Sequence, residues 1–210
     1  MRNKINPIFL FTIFSAATLV SCQKELDGSL SGGGINPTPT NQVPRVGTTW
    51  TYRHYIYHQD GSLYQAHIMT LRIKSEEMLG GEKWFRVVNV TPDTTVFYLQ
   101  VKPDGLYQYA NNSPQLFLKD PALVGDNYNT FNEGFAEQFF VRGSKDTLPT
   151  GIGNVVVNYY EGYRVTNLIK NQIWYNKNAW IVRWEQFQNR ALVGFFWYRY
   201  RAFYLDNIVY

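Results

Sequence analysis

The chain has 210 residues with 20 Lys and Arg against 16 Asp and Glu, a formal charge of +4, and 17% of it is Phe, Trp or Tyr. Arg2 and Lys4 account for half of that excess, and the remaining cations form no cluster, so the concentrated positive footprint that nucleic-acid binding needs is absent. A single cysteine permits no internal disulfide, so a folded domain must rest on its core. The first element is a secretory signal: Arg2 and Lys4, an apolar run from Ile8 to Leu19, then small residues. That run is shorter than the ~20 residues a spanning helix requires. Charged or amide side chains interrupt every later apolar run.

Leu19-Val20-Ser21-Cys22 resembles the lipobox of bacterial lipoproteins. The resemblance implies that residues 1–21 are removed as a signal peptide. It also implies that Cys22 carries a lipid on sulfur and an acyl group, such as palmitate, on its new amino terminus. One chain holds a protein reversibly, whereas several make the attachment stable. Gln23 rather than Asp follows the cysteine, which in lipoproteins of this kind points to the outer membrane. Gln23-Lys24-Glu25-Leu26-Asp27 is similar to the charged export tag of Bacteroidota surface lipoproteins; a solvated spacer is the plainer alternative, and the periplasmic and cell-surface faces both stay open. Residues 22–44 read as lipidated terminus and tether, because Gly28 to Pro44 is too rich in Gly, Ser, Pro, Thr and Asn to offset its ordering entropy. Such a coil of about 20 residues reaches roughly 25 Å.

Residues 45–210 read as one all-β, antiparallel domain, a curled sheet closed into a barrel or half-barrel (lipocalin-like or similar), with little helix. Alternation predicts strands at Thr48–His58, Leu63–Lys74, Lys83–Val90, Val96–Val101 and Leu106–Ala110. Turn signals lie at Asp60-Gly61, Gly80-Gly81 and Pro103-Asp104-Gly105. No strand is assigned between Ala110 and Asn154. Later strands are expected at Asn154–Tyr160, Tyr163–Leu168, Gln172–Tyr175, Ala179–Phe187 and Leu192–Leu205. Val46 to Tyr52, Leu118 to Asp126 and Gln172 to Tyr175 resemble the opening strand, middle loop and late hairpin of uncharacterised β-rich Bacteroidota outer-membrane lipoproteins. Those proteins typically carry a Gly where this chain has Ala179-Trp180-Ile181. The resemblance implies the fold class and no activity.

A two-residue loop at Asp60-Gly61 would pair Gln59 with Ser62 and thereby set His54 opposite His67, Tyr52 opposite Met69 and Trp50 opposite Leu71. Two of the three histidines then touch on an aromatic and aliphatic face. Half a metal site and a hydrogen-bonded pair at the core edge both fit. Zinc needs three or four ligands and only His58 remains, so no metal and no cofactor are expected.

Catalytic signatures are missing: no Gly-x-Ser-x-Gly elbow, no His-Glu-x-x-His and no Cys pair. Gly151-Ile152-Gly153 runs into a strand, not the helix of a dinucleotide loop. Glu133 and Glu137 could pair as glycosidase carboxylates, but in a Gly- and Asn-containing loop they read as solvated surface. The chain is therefore read as non-catalytic, with two functions open. One is binding of a hydrophobic or amphipathic ligand, lipid or glycan, by Trp50, Tyr52, His54, His67, Met69 and Leu71, although each aromatic also suits a core. The other is an interaction subunit offering the aromatic Phe195–Tyr204 segment to an envelope protein partner. Asp93-Thr94-Thr95 and Asp146-Thr147-Leu148 resemble the short O-glycosylation motif of exported Bacteroidota proteins, each in a turn-like stretch.

Overall fold

The computed structural model describes residues 42–164, 168–190 and 196–210, apart from the side chains of Arg190 and Phe196. The expected signal peptide, Cys22 and the expected tether as far as residue 41 lie outside the described residues. Twelve strands follow one another: β1 (Thr49–Tyr57), β2 (Leu63–Leu79), β3 (Glu82–Asn89), β4 (Thr94–Lys102), β5 (Gly105–Ala110), β6 (Ser113–Lys119), β7 (Asn127–Asn132), β8 (Phe135–Thr150), β9 (Gly153–Arg164), β10 (Ile169–Asn176), β11 (Trp180–Arg190) and β12 (Phe196–Val209). They form one antiparallel sheet in the order 6-5-4-3-2-1-12-11-10-9-8-7. Two six-stranded meanders are thus joined by pairing of the first strand with the last, and the sheet is nearly closed into a barrel. No helix occurs among the described residues.

The seam of the barrel falls between β6 and β7, in the middle of the chain. Side-chain hydroxyls bridge it where no strand ladder forms. Tyr128 donates to the Phe117 carbonyl at 3.0 Å and accepts from the Lys119 amide at 3.2 Å. Thr130 donates to the Leu116 carbonyl, and Tyr160 donates to that of Lys119 at 2.5 Å. Edge groups that would otherwise be left unpaired are satisfied in this way.

The predicted register of the first hairpin holds: Trp50 faces Leu71, Tyr52 faces Met69 and His54 faces His67. The loop itself differs. Gly61 N donates to His58 O at 3.0 Å and His58 N to Ser62 O at 2.8 Å, so the loop has three residues ending in a left-handed Gly61 with φ of 84°. A register shift between Ile56 and Tyr57 restores the expected pairing. The stretch from 111 to 153, expected to lack strands, instead supplies the whole of β6, β7 and β8. The Asp146-Thr147 motif accordingly sits in a ladder opposite Val157 and Val156, not in a turn.

Antiparallel order gives the barrel two ends. The chain enters at one, with the turns at Gly80, Asp104 and Lys177; the far end carries the turns at Asp60, Asn111 and Glu133. At the entry end the interior is aromatic. Trp50 stacks on Trp180 at 4.9 Å, and its indole donates to the Ala179 carbonyl at 2.9 Å. Trp180 has φ of 61°, a conformation that favours glycine, and it is held there by this stack and by burial. The β8–β9 hairpin then folds past β10 and β11 to reach β12. Gly151 N donates to Leu205 O at 3.3 Å, Ile152 is buried in the core, and a Cβ on Gly151 would stand 2.2 Å from the Asp206 carbonyl oxygen. The entry end is therefore plugged.

Candidate functional site

Toward the far end the interior turns polar. Glu137 projects inward from β8 with its side chain fully buried, and Arg164 of β9 meets it at 2.7 Å. Asn171 of β10 donates to the same carboxylate at 2.8 Å, and its oxygen accepts the Trp184 indole N–H at 2.9 Å. Burial raises the Glu137 pKa, with Arg164, Asn171 and Asn132 pulling the other way. The sequence reading of this residue as solvated surface is overturned. Its partners Arg164 and Asn171 lie 27 and 34 residues away on other strands, so no local signal announces them.

Glu133 occupies the two-residue β7–β8 turn at φ of 51°, where Asn or Gly is usual. Its carboxylate takes hydrogen bonds from Arg164 at 3.2 Å, from Gln186 at 3.1 Å and from Arg201. Burial opposes its charge, but Arg201, Gln186 and Arg164 outweigh that and hold its pKa below the usual range. A charged residue kept in an unfavourable backbone conformation by three convergent partners marks this turn as a constrained position.

Beside this cluster lies a cleft of about 140 Å³. Tyr52, Leu71, Trp184 and Phe203 form its inner wall, Met69, Val96, Phe97 and Ile181 its sides, and Glu133 with Arg201 its polar end. Val96 is exposed, so the cleft reaches solvent, and Val96 and Glu133 place that opening at the far end. Tyr52 is locked by donating to the Ile181 carbonyl at 2.8 Å. Among the described residues, no Ser, Thr, Cys or His lines the cleft.

Three of the six sequence-selected residues, Tyr52, Met69 and Leu71, line this cleft. Trp50 does not: beside it is only a void of about 20 Å³, room for roughly one water. His54 and His67 do touch, Nδ1 to Nε2 at 2.8 Å, but outside the cleft. His54 is sandwiched flat on Phe203 at 4.0 Å, and burial, then His67, then Arg201, lower its pKa to about 4. No group of three or more metal-ligating side chains occurs among the described residues. Sequence reasoning missed Phe97, Trp184, Phe203, Glu133 and Arg201 as one site. Alternation marks Trp184 and Phe203 as inward, but only the closure of β1 on β12 sets them beside Tyr52 and Leu71.

Two larger grooves, of about 280 and 290 Å³, share Asp120, Pro121, Tyr175 and Lys177 at the entry end. Neither has the aromatic wall of the far-end cleft. Along β12, Trp197 and Tyr200 are 39% and 43% exposed, while Tyr198 and Tyr204 are half-buried. Tyr204 donates to Glu185 at 2.6 Å, and Tyr159 stacks on Trp174 at 4.7 Å under the Arg183 guanidinium. Phe195 lies outside the described residues. Thr94, Thr95 and Thr147 are exposed.

No protein-family model matches the chain, and no curated protein does. Among solved structures, a Bacteroides fragilis protein with a YmcC-like fold, inferred to be exported, is similar at 13% identity and a TM-score of 0.45, over 80% of this chain and 98% of that one. A Parabacteroides distasonis protein inferred to be a lipoprotein is similar at 11% identity and a TM-score of 0.42, over 80% of this chain and 97% of the other.

Proposed function

We propose that this chain is a lipid-anchored protein of the cell envelope, moored in the outer membrane through Cys22, whose β-domain binds a small amphipathic molecule. The far-end cleft carries the binding reading, because apolar walls with a few convergent polar groups are the usual make-up of a ligand site. Its size narrows the ligand. An engineered cavity of about 150 Å³ takes benzene, whereas drug-sized ligands need ~300 Å³ or more. A single ring or a short branched chain fits; a whole acyl chain or an oligosaccharide does not. Since Glu133 is the one carboxylate lining the cleft among the described residues and is held by Arg164, Gln186 and Arg201, while Glu137 lies behind it paired with Arg164, the reading is binding and not catalysis. The test is binding of 4-fluorobenzyl alcohol, followed by ligand ¹⁹F NMR, to the full chain in nanodiscs against empty nanodiscs. Leu71→Phe, which fills the cleft, should abolish binding; equal binding by wild type and variant would refute the site. The anchor is tested separately: labelled palmitate should enter the wild type and not Cys22→Ala.

The exposed Trp197 and Tyr200 support a second reading, a surface for an envelope protein partner. Replacing both by Ser should then remove a crosslinked complex in intact cells while leaving ring binding unchanged.

A further inference from the structure

We infer that the ligand enters this cleft with a hydrogen-bond acceptor, best a carboxylate, received by Arg201. This rests on the binding reading above and names the chemistry of the ligand's polar end. The argument is an inventory of donors and acceptors at the mouth. Both Glu133 oxygens are occupied: Arg201 takes one, and Arg164 and Gln186 take the other. The Gln186 oxygen is taken by Arg201 Nε. Glu137 sits behind, saturated by Arg164, Asn171 and Asn132. Glu133 thus accepts three of the about four hydrogen bonds its carboxylate can take, and every acceptor on this wall is already engaged by a guanidinium or amide donor.

Arg201 is different. Its Nε and Nη2 are engaged, but Nη1 has no hydrogen-bond partner among the described residues, and its side chain is 27% exposed at the cleft. Its guanidinium is held in place by Glu133 and Gln186 and lies over the Phe203 ring, 5.6 Å from the centroid. A pre-oriented guanidinium with unused N–H groups receives a planar carboxylate well. An ammonium group would meet only occupied acceptors and a neighbouring positive charge. The ligand class is thus a small aromatic or branched aliphatic acid, its apolar body against Tyr52, Leu71, Trp184 and Phe203.

Three fluorinated rings of one size test this on the full chain in nanodiscs: 4-fluorophenylacetate, 4-fluorobenzyl alcohol and 4-fluorobenzylamine. The acid should bind about tenfold more tightly than the alcohol, with the amine weakest. Arg201→Gln should erase the preference, so that acid and alcohol bind within about twofold of each other, while near-UV circular dichroism and urea unfolding report whether the fold is intact. Arg201→Lys should keep the charge and recover only part of the preference. Amine binding as tight as acid binding, or an acid preference that survives Arg201→Gln, overturns the inference. Failure of all three probes overturns the binding reading itself and the inference with it.

Discussion

Arg164→Met is the most informative perturbation of the domain. The Arg164 side chain is 3% exposed and that of Glu137 is fully buried, so the variant strands a carboxylate in the interior with only Asn171 and Asn132 as donors. Removing one partner of such a pair costs about 3–5 kcal/mol, against a total stability of about 5–15 kcal/mol. For a domain of this size that corresponds to a fall in Tm of roughly 10 °C. The loss should also depend on pH. Glu137 already has a raised pKa through burial, and loss of Arg164 raises it further. A carboxyl whose folded pKa exceeds its unfolded value binds more protons when folded, so stability falls as pH rises through that window. Urea unfolding should show a large deficit at pH 8 that shrinks toward pH 5. Adding Glu137→Gln should recover most of the loss at pH 8. A deficit below about 1 kcal/mol, flat with pH, would show that Glu137 is hydrated and the buried network wrong.

His54 gives the opposite slope. Its pKa is lowered to about 4 by burial, then His67 and Arg201, while the unfolded value is near 6.5. Below 6.5 the unfolded chain takes a proton that the folded one refuses, so stability should fall by on the order of 2–3 kcal/mol between pH 6.5 and 4. His54→Gln should flatten that slope in urea titrations; an unchanged slope would assign it elsewhere. At the seam, Tyr128→Phe removes the hydroxyl that serves both Phe117 O and Lys119 N. About 1–3 kcal/mol should be lost, with faster amide exchange at Lys119 and little change at β1.

What could be read from the sequence follows physical range. The first hairpin was legible because alternation fixes which face each residue takes, and its register survived a misread loop through a compensating shift. Strands β7 and β8 were not legible. In β7 the inward residues are Tyr128, Thr130 and Asn132, polar groups serving the seam and the buried network, so the usual apolar-in signature is absent. In β8 the consecutive Phe139-Phe140-Val141 erases alternation, and Gly143 and Pro149 read as breakers. The candidate cleft was half legible for the same reason. Tyr52, Met69 and Leu71 share one local hairpin, whereas Trp184, Phe203, Glu133 and Arg201 join them only through barrel closure.

Methyl-detected NMR of the protein during titration with 4-fluorophenylacetate tests the central claim most directly, because the cleft wall carries methyl groups from Met69, Leu71, Val96 and Ile181. Saturable shifts should concentrate on these four and leave the methyls of Val156 and Leu123, at the opposite end, unmoved. Shifts absent from the four, or strongest at the entry end, would contradict a ligand site inside the far end of the barrel.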